Sequence, residues 1–584
     1  MQRSQPAHNH SSILFWLGWS LFISIVYSGL ALQKGLAQNY IVQDDVRQHL
    51  IWMQRLADPE LFKNDLIVNY FQSVAPWGYY TLYKVLISVL GIQPIILTKV
   101  IPIFLGGLTT LYCFFLSFQI LPIPFGGFLS CTLLNQLLWL DDSLVSATPR
   151  AFLYPLFLAL LYYITQESIL LMSVALILLG LFYPQLVLVS FVLFGLKLLG
   201  LRRNGTLRFA NSTLQLSQPS SIFRQQSRRL CCFGLGISVV IIFLYAVKIS
   251  EFSPIISANA ARQLSEFGGA GNSAFFYGDF WQFWLWGQRS GLLPQDLFKP
   301  LLIIFGLSLP VLISFPEQFP LTKRLQPSFN LILQVLVASF SLFFAAHFLL
   351  FRLHLPSRYT HHTLRICLAL AASVSLCVVI DRFFQYLSQV QISRTKLAIL
   401  RISSVLILAL IGLINPVFWQ GFPRSNYVKG HAPDLYAFFV QQPQETLIAS
   451  ISREADNFPI FAKRAIWFGW EYAVPYHQGY YQPIQLRATE FIQAQYSPEI
   501  RPMQDLIQAH QIDFVVIDRD AFQPEYLLKN PWLRQWYHSL GKEIQQMTQQ
   551  GQTIAVERFS QKCSVQQTEK LMVLDGKCLL SAKD

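Results

Sequence analysis

Apolar runs approaching the ~20 residues that cross a bilayer recur through the first 415 residues and then stop. They fall at 13–32, 93–119, 124–140, 150–166, 168–182, 184–200, 230–248, 300–315, 328–351, 363–380 and 397–415. The pattern predicts a mainly α chain, a polytopic membrane helix bundle of about 11 spans. The first run has no clear small-residue cleavage site and reads as a retained anchor, with a signal peptide as the alternative. Trp77–Leu90 is apolar but short and holds Tyr79, Tyr80, Tyr83 and Lys84. It reads as a helix in the interface plane, where aromatics and a snorkelling lysine are comfortable. Tyr183-Pro184 is either a turn or a kink within one long helix. Only 13% of the residues are charged, about half the roughly 25% of soluble domains. That excludes a disordered chain and argues against a soluble multidomain enzyme.

The positive excess lies in the apolar part: residues 416–584 carry 16 Lys+Arg and 17 Asp+Glu. Loop 201–229 holds Arg202, Arg203, Arg208, Arg224, Arg228 and Arg229 without an acid, and loops 316–327 and 381–396 are also basic. With eleven spans all three share a side, which the positive-inside rule makes cytoplasmic. The expected setting is the plasma (inner) membrane, with the N-terminus cytoplasmic. Loops 33–92 and 249–299 and everything after 415 then face the outer, periplasmic side. The charge reads as orientation signal and lipid headgroup contact, and no nucleic-acid partner is expected.

Residues 416–584 read as a separate extramembrane α/β domain. Thr446–Ile451, Phe514–Ile517 and Thr553–Val556 look like strands, and Ala488–Tyr496 and Met503–His510 like helices. Cys563 and Cys578 are the two cysteines in polar sequence. On an oxidising side they would form a disulfide, and otherwise they are free thiols.

The acidic pair Asp44-Asp45 follows the first span, in Asn39-Tyr-Ile-Val-Gln-Asp44-Asp45-Val-Arg47-Gln48-His49. Asp45 with Gln48 fits a relaxed capping box, and Val46, Leu50, Met53 and Leu56 then line one helix face. Capping needs one acid. Asp44 is left free to take a proton from a hydroxyl or to hold a divalent cation such as Mg or Mn. A second pair, Asp141-Asp142, closes the run ending at Trp139-Leu140. It reads either as a solvated helix end or as a partner of Asp44 across a cavity, Asp44 and Asp142 then sharing a metal. Arg150 stands ready for one of these acids or for a phosphate.

A multi-pass chain with an acidic pair in its first outer loop, a second acidic pair in the next and a terminal soluble domain outside resembles the GT-C superfamily of membrane glycosyltransferases. The resemblance covers about 1–415. It implies an enzyme of the EC 2.4 class that moves a sugar from a polyprenyl-phosphate carrier to an acceptor glycan, lipid or protein. It makes Asp44, with Asp45, the catalytic base, and Asp141 and Asp142 the acceptor or metal site.

Arg352, His354, Arg358, His361, His362 and Arg365 form a basic segment on the outer side, where few cations are expected. It would hold the donor phosphate, arginine offering paired donors, or anionic lipid headgroups. The 249–299 loop, with Gly268, Gly269 and Gly271 before Phe275 and Trp281, resembles a mobile flap. Aromatics at 467–472 and 476–481 suit either sugar stacking or packing. The chain lacks a Walker A loop, a dinucleotide fingerprint, Gly-x-Ser-x-Gly and His-Glu-x-x-His. A transporter or flippase and a non-catalytic assembly protein are the rival readings. The first wants acids within the spans, and the second wants Asp44, Asp141 and Arg358 far apart.

Overall fold

A computed structural model describes residues 10–202, 208–209, 212–213, 221–248, 250–269, 271–389, 395–396, 399–400, 402–404, 406–407, 410, 415–551 and 553–583. The expected last span, 397–415, and much of the basic loop 201–229 lie largely outside them.

The apolar runs become helices. The long first helix is α1 (His10–Leu36). Short pieces follow: strand β1 (Ile41–Gln43), then α2 (Arg47–Ala57), α3 (Leu66–Val74) and α4 (Trp77–Lys84). The bundle continues with α5 (Pro94–Ile120), α6 (Pro124–Trp139), α7 (Pro149–Thr165), α8 (Ile169–Phe182), α9 (Gln185–Arg202) and α10 (Ser221–Val247). After the small α11 (Ala258–Gln263) come α12 (Phe305–Ser314), α13 (Asn330–Phe348) and α14 (Ser357–Gln389). Among the described residues five helices are long and apolar enough to cross a membrane, and shorter apolar helices stand beside them. The protein is an integral membrane protein. Prolines at the first helical position open α5, α6 and α7, where the missing N–H costs nothing. At Tyr183 the backbone is non-helical (φ −147°, ψ 78°), so α8 and α9 are separate helices.

On α1, Ser20, Ser24, Ser28 and Ala31 form a buried stripe of small residues at helical spacing, which lets α5 and α6 approach closely. Every residue of α6 except Phe125 is buried, so α6 is the centre of the bundle and ends at Trp139, directly before the second acidic pair.

The C-terminal region carries a mixed five-stranded sheet. Strands β2 (Arg208–Phe209) and β3 (Ser212–Thr213) form a small hairpin, and β4 (Tyr427–Lys429) pairs antiparallel with β1. The sheet itself comprises β5 (Leu447–Ala449), β6 (Ala465–Ile466), β7 (Phe514–Asp518), β8 (Ser564–Gln567) and β9 (Leu571–Asp575) in the order β6-β5-β7-β9-β8. Strands β6, β5 and β7 run parallel, and β9 and β8 are antiparallel additions. Two expected strands are present. The third is corrected: Ala555–Cys563 is a helix, its buried residues Ala555, Val556, Ser560 and Cys563 spaced for one helical face. Cys563 and Cys578 form a disulfide, closing the segment that contains β8 and β9.

Candidate functional site

The β1–β4 ladder fixes where the first acidic pair sits. Val42 pairs with Val428, and the chain turns immediately after. The Asp44 backbone N–H donates to the Asn426 carbonyl at 3.1 Å. Asp45 does not cap α2: Val46 is the N-cap without a side-chain bond, and Gln43 Oε1 takes the Val46 N–H at 3.1 Å. A glutamine from the strand does the task expected of the aspartate, which frees Asp45 for an arginine. The apolar face of α2 is as expected, with Val46, Leu50 and Met53 fully buried.

Three arginines organise the carboxylates. One Nη of Arg150 pairs with both Asp45 and Asp142, at 2.8 Å from the latter. Arg365 on α14 donates to Asp141 at 2.7 Å, and the Ser143 backbone and hydroxyl hold the other Asp141 oxygen. Arg47, almost wholly buried, pairs with Asp44 and, at 3.1 Å, with Glu471 of the C-terminal region. Asn426 donates to Asp142 at 2.8 Å, and Gln48 donates to Glu471 at 2.9 Å. Residues nearly 430 positions apart in sequence thus share one polar cluster at the C-terminal end of α6.

Electrostatics separate the acids. Burial raises Asp141, but the Arg365 and Arg150 guanidiniums outweigh it and hold the carboxyl well below the usual carboxylate range. Burial raises Asp142, and Asp141 and Asp45 reinforce that against the pull of Arg150. Burial also raises Glu471 despite Arg47. The side chains of Asp44 and Asp45 are 39% and 41% exposed, against 17% for Asp142. The first pair is therefore the more exposed of the two, and the second lies more deeply buried.

Asp44 is not left free, because Arg47 holds it. The donor set does not make a cation cage either. Asp44 and Asp142 are clamped by different arginines, and the described residues contain no group of three or more His, Cys, Asp or Glu placed to hold a metal ion. A divalent cation joining Asp45 to Asp142 would take the place that Arg150 holds.

Arg358 and Arg365 lie seven residues apart on α14, two turns and about 10 Å along one face. Arg365 grips Asp141, while half-buried Arg358 forms no ion pair among the described residues; exposed Arg352 likewise. His354 adopts φ +62°, and burial, with Arg358, His477 and Arg289 nearby, pushes its imidazole down to about 3. It is neutral at pH 7. His361 Nε2 bonds the Gly291 carbonyl at 3.0 Å, and His362 Nδ1 the Tyr154 hydroxyl at 2.8 Å. The arginines supply the positive charge of this segment.

For the aromatic runs the packing alternative holds, and the flap expectation needs correction. Trp467, Phe468, Tyr472, Tyr480 and Tyr481 are buried and pack, with Tyr480 stacked on Tyr70 at 3.7 Å, so they present no sugar-stacking surface. The glycine-containing loop is docked. Glu266 accepts from Tyr481 at 2.6 Å and Trp536 at 3.0 Å, and Asn272 donates to the Trp470 carbonyl at 2.9 Å. Sequence reasoning missed Glu471, Asn426 and the pairings of Arg47 and Arg365. Glu471 alone carried a signal, as the lone acid in an aromatic run.

No family model matches the chain, and no curated protein matches it. Solved structures do. The apo oligosaccharyltransferase of Archaeoglobus fulgidus superposes with a TM-score of 0.51 at 13% identity, over 89% of this chain and 71% of that one. The Archaeoglobus fulgidus oligosaccharyltransferase AglB, in complex with an inhibitory peptide and a dolichol-phosphate, gives 0.50 at 12% identity over 90% and 71%. The GT-C resemblance holds at the level of the fold.

Proposed function

We propose that the protein is a membrane glycosyltransferase that moves a sugar from a polyprenyl-phosphate donor to an acceptor at the outer face of the membrane. The observation that carries this reading is the convergence of Asp44-Asp45 and Asp141-Asp142 on Arg47, Arg150 and Arg365, with Arg358 on the same helix face as Arg365. The fold shared with oligosaccharyltransferases, one of them bound to a dolichol-phosphate, supports it.

In this reading Asp44 and Asp45, the exposed acids, orient the acceptor hydroxyl and take its proton as the glycosidic bond forms. Arg358, with Arg352 at the rim, holds the donor phosphate, which leaves with its negative charge stabilised. Arg47 holds Asp44, and Arg150, itself fixed by Asp142, holds Asp45. An apolar groove of about 680 Å³ between α8 and α10, lined by Ile177, Leu181, Phe233, Ile237 and Leu244, suits the polyprenyl tail. In the arrangement described, arginine does the charge compensation among these acids.

The proposed topology has about eleven spans in 1–415, the N-terminus inside and 416–584 outside. The basic 201–229 loop supports that orientation, and so does the Cys563–Cys578 disulfide. The test is transfer from radiolabelled polyprenyl-phosphate sugars by the purified protein in lipid nanodiscs. Asp44→Asn and Asp45→Asn should each lower the rate by roughly 10²–10⁴-fold at an unchanged melting temperature. Full activity in the double variant would remove the acidic pair from the reaction.

A further inference from the structure

The C-terminal sheet has a second polar concavity that the transfer chemistry does not use. Chain leaving the carboxyl ends of parallel β5 and β7 diverges over a cleft of about 620 Å³, inside the roughly 300–1,000 Å³ of small-ligand sites. In open α/β sheets ligands bind at this edge.

The cleft floor is pre-organised. Ser452, after β5, donates to Asp518 Oδ1 at 2.9 Å, and Tyr526 donates to Asp518 Oδ2. Asn530 donates to Tyr526 at 2.8 Å and to the Ile451 carbonyl at 3.0 Å. Beside this network lies Glu454, 9% exposed. Its Oε1 accepts from the His431 N–H, the Tyr436 hydroxyl and Asn457 Nδ2. Nothing among the described residues donates to its Oε2, an acceptor held ready at the cleft. Arg453, Lys529 and Lys570 share the walls with Asp434, Asp520 and Glu569.

This lining selects by charge. A polyanion would meet five carboxylates, and a polycation would meet three cationic side chains. A neutral ligand rich in groups that both donate and accept satisfies the carboxylates and the ammonium groups together. We propose that this cleft is a saccharide-binding site, filled by a neutral oligosaccharide whose hydroxyls bond Glu454 Oε2 and the charged rim.

The site is wired to the membrane edge. Asn457 donates to Glu454 and accepts from Arg47 at 3.1 Å, and Arg47 holds Asp44. Glu454 is therefore linked to the proposed base through two hydrogen-bonded side chains. That link rests on the transferase reading, whereas binding in the cleft does not.

The experiment is saturation-transfer NMR and tryptophan fluorescence on the full chain in nanodiscs. The probes are neutral tri- to hexasaccharides of glucose, mannose, galactose and N-acetylglucosamine, with inorganic phosphate and trilysine for comparison. Saturable binding of a neutral oligosaccharide is expected, weakened about 10-fold in Glu454→Gln. Lys529→Ala and Asp520→Asn, exposed or half-exposed side chains away from the core, should weaken it at an unchanged melting temperature. Absence of saturable binding by every neutral probe overturns the proposal. So does tighter binding of phosphate or trilysine, or binding indifferent to all three variants. Transfer activity, measured separately, stands whichever way the cleft behaves.

Discussion

Two sets of carboxylates solve one problem differently. At the membrane edge Asp44, Asp45, Asp141 and Asp142 are matched by Arg47, Arg150 and Arg365. In the C-terminal cleft Asp518 and Glu454 are met by neutral hydroxyls and amides from Ser452, Tyr526, Tyr436 and Asn457. The acidities diverge accordingly. Asp141 lies well below the usual carboxylate range, driven there by arginine against burial. Asp518 is instead raised from its ordinary value, because burial outweighs what Tyr526 and Ser452 return. Beside lipid a bare charge has little water to fall back on, so formal counter-charge is built in. At the cleft, where Lys529 is exposed, solvent reaches the rim and neutral donors suffice.

Removing an arginine is the hardest blow to that contrast. Arg365→Met leaves Asp141 buried without its counter-charge and should cost about 3–5 kcal/mol, read as a large fall in thermal unfolding temperature in detergent. Adding Asp141→Asn should return most of the loss. If the single variant melts like the parent, the arginine clamps are ornament and the two regions do not differ in kind.

Arg150 sharpens the comparison chemically. In Arg150→Ala, Asp45 and Asp142 face each other without the cation between them. Mn²⁺ affinity measured by electron paramagnetic resonance should rise at least about 10-fold over the parent. Equal affinity in both proteins would mean that the guanidinium does not occupy a cation's seat.

The parts legible in sequence were those with a local signal. Apolar runs became α1, α5 to α10 and α12 to α14 near the expected boundaries, and the cysteines in polar sequence found each other. The acidic pairs were visible, but their partners were not. Arg365 reaches Asp141 across 224 positions and Asn426 reaches Asp142 across 284, and neither spacing has a local pattern. The capping reading of Asp45 failed for a related reason. Gln43, whose alternation suits a strand, turns its amide to Val46, and the long-range pull of Arg150 takes the aspartate. Thr553–Val556 looked like a strand because four residues cannot separate a period of two from one of 3.6. The aromatic run at 467–472 was ambiguous in principle, since composition does not say which side of a tryptophan is covered.

Acidity gives a gentler test. Asp141, depressed on folding, contributes stability that is present above its unfolded pKa and lost as pH falls through its folded value. Asp518, raised on folding, does the reverse: its contribution is present below the unfolded value, near 4, and is lost as pH rises through the folded one. Asp518→Asn should therefore match the parent at pH 3.5 and melt higher at pH 7, the gap opening as pH rises above about 4. A constant gap across that window would place the effect in packing rather than ionisation.

The smallest effect isolates the neutral side of the contrast. Tyr526→Phe removes one hydroxyl that bonds Asp518 and accepts from Asn530, and it keeps the ring that fills the same space. A hydrogen bond to a charged group contributes about 1.5–3 kcal/mol, and one to a neutral group nearer 1. Asp518 is the acid whose ionised form is disfavoured, so the loss should depend on pH. It should be about 1 kcal/mol where Asp518 is protonated and larger where it is ionised, because Tyr526 then shoulders the charge with Ser452 alone. Melting curves of the variant and parent between pH 4 and pH 8 decide it. A pH-independent loss would mean that the hydroxyl supports only the cleft floor and takes no share of the carboxylate's charge.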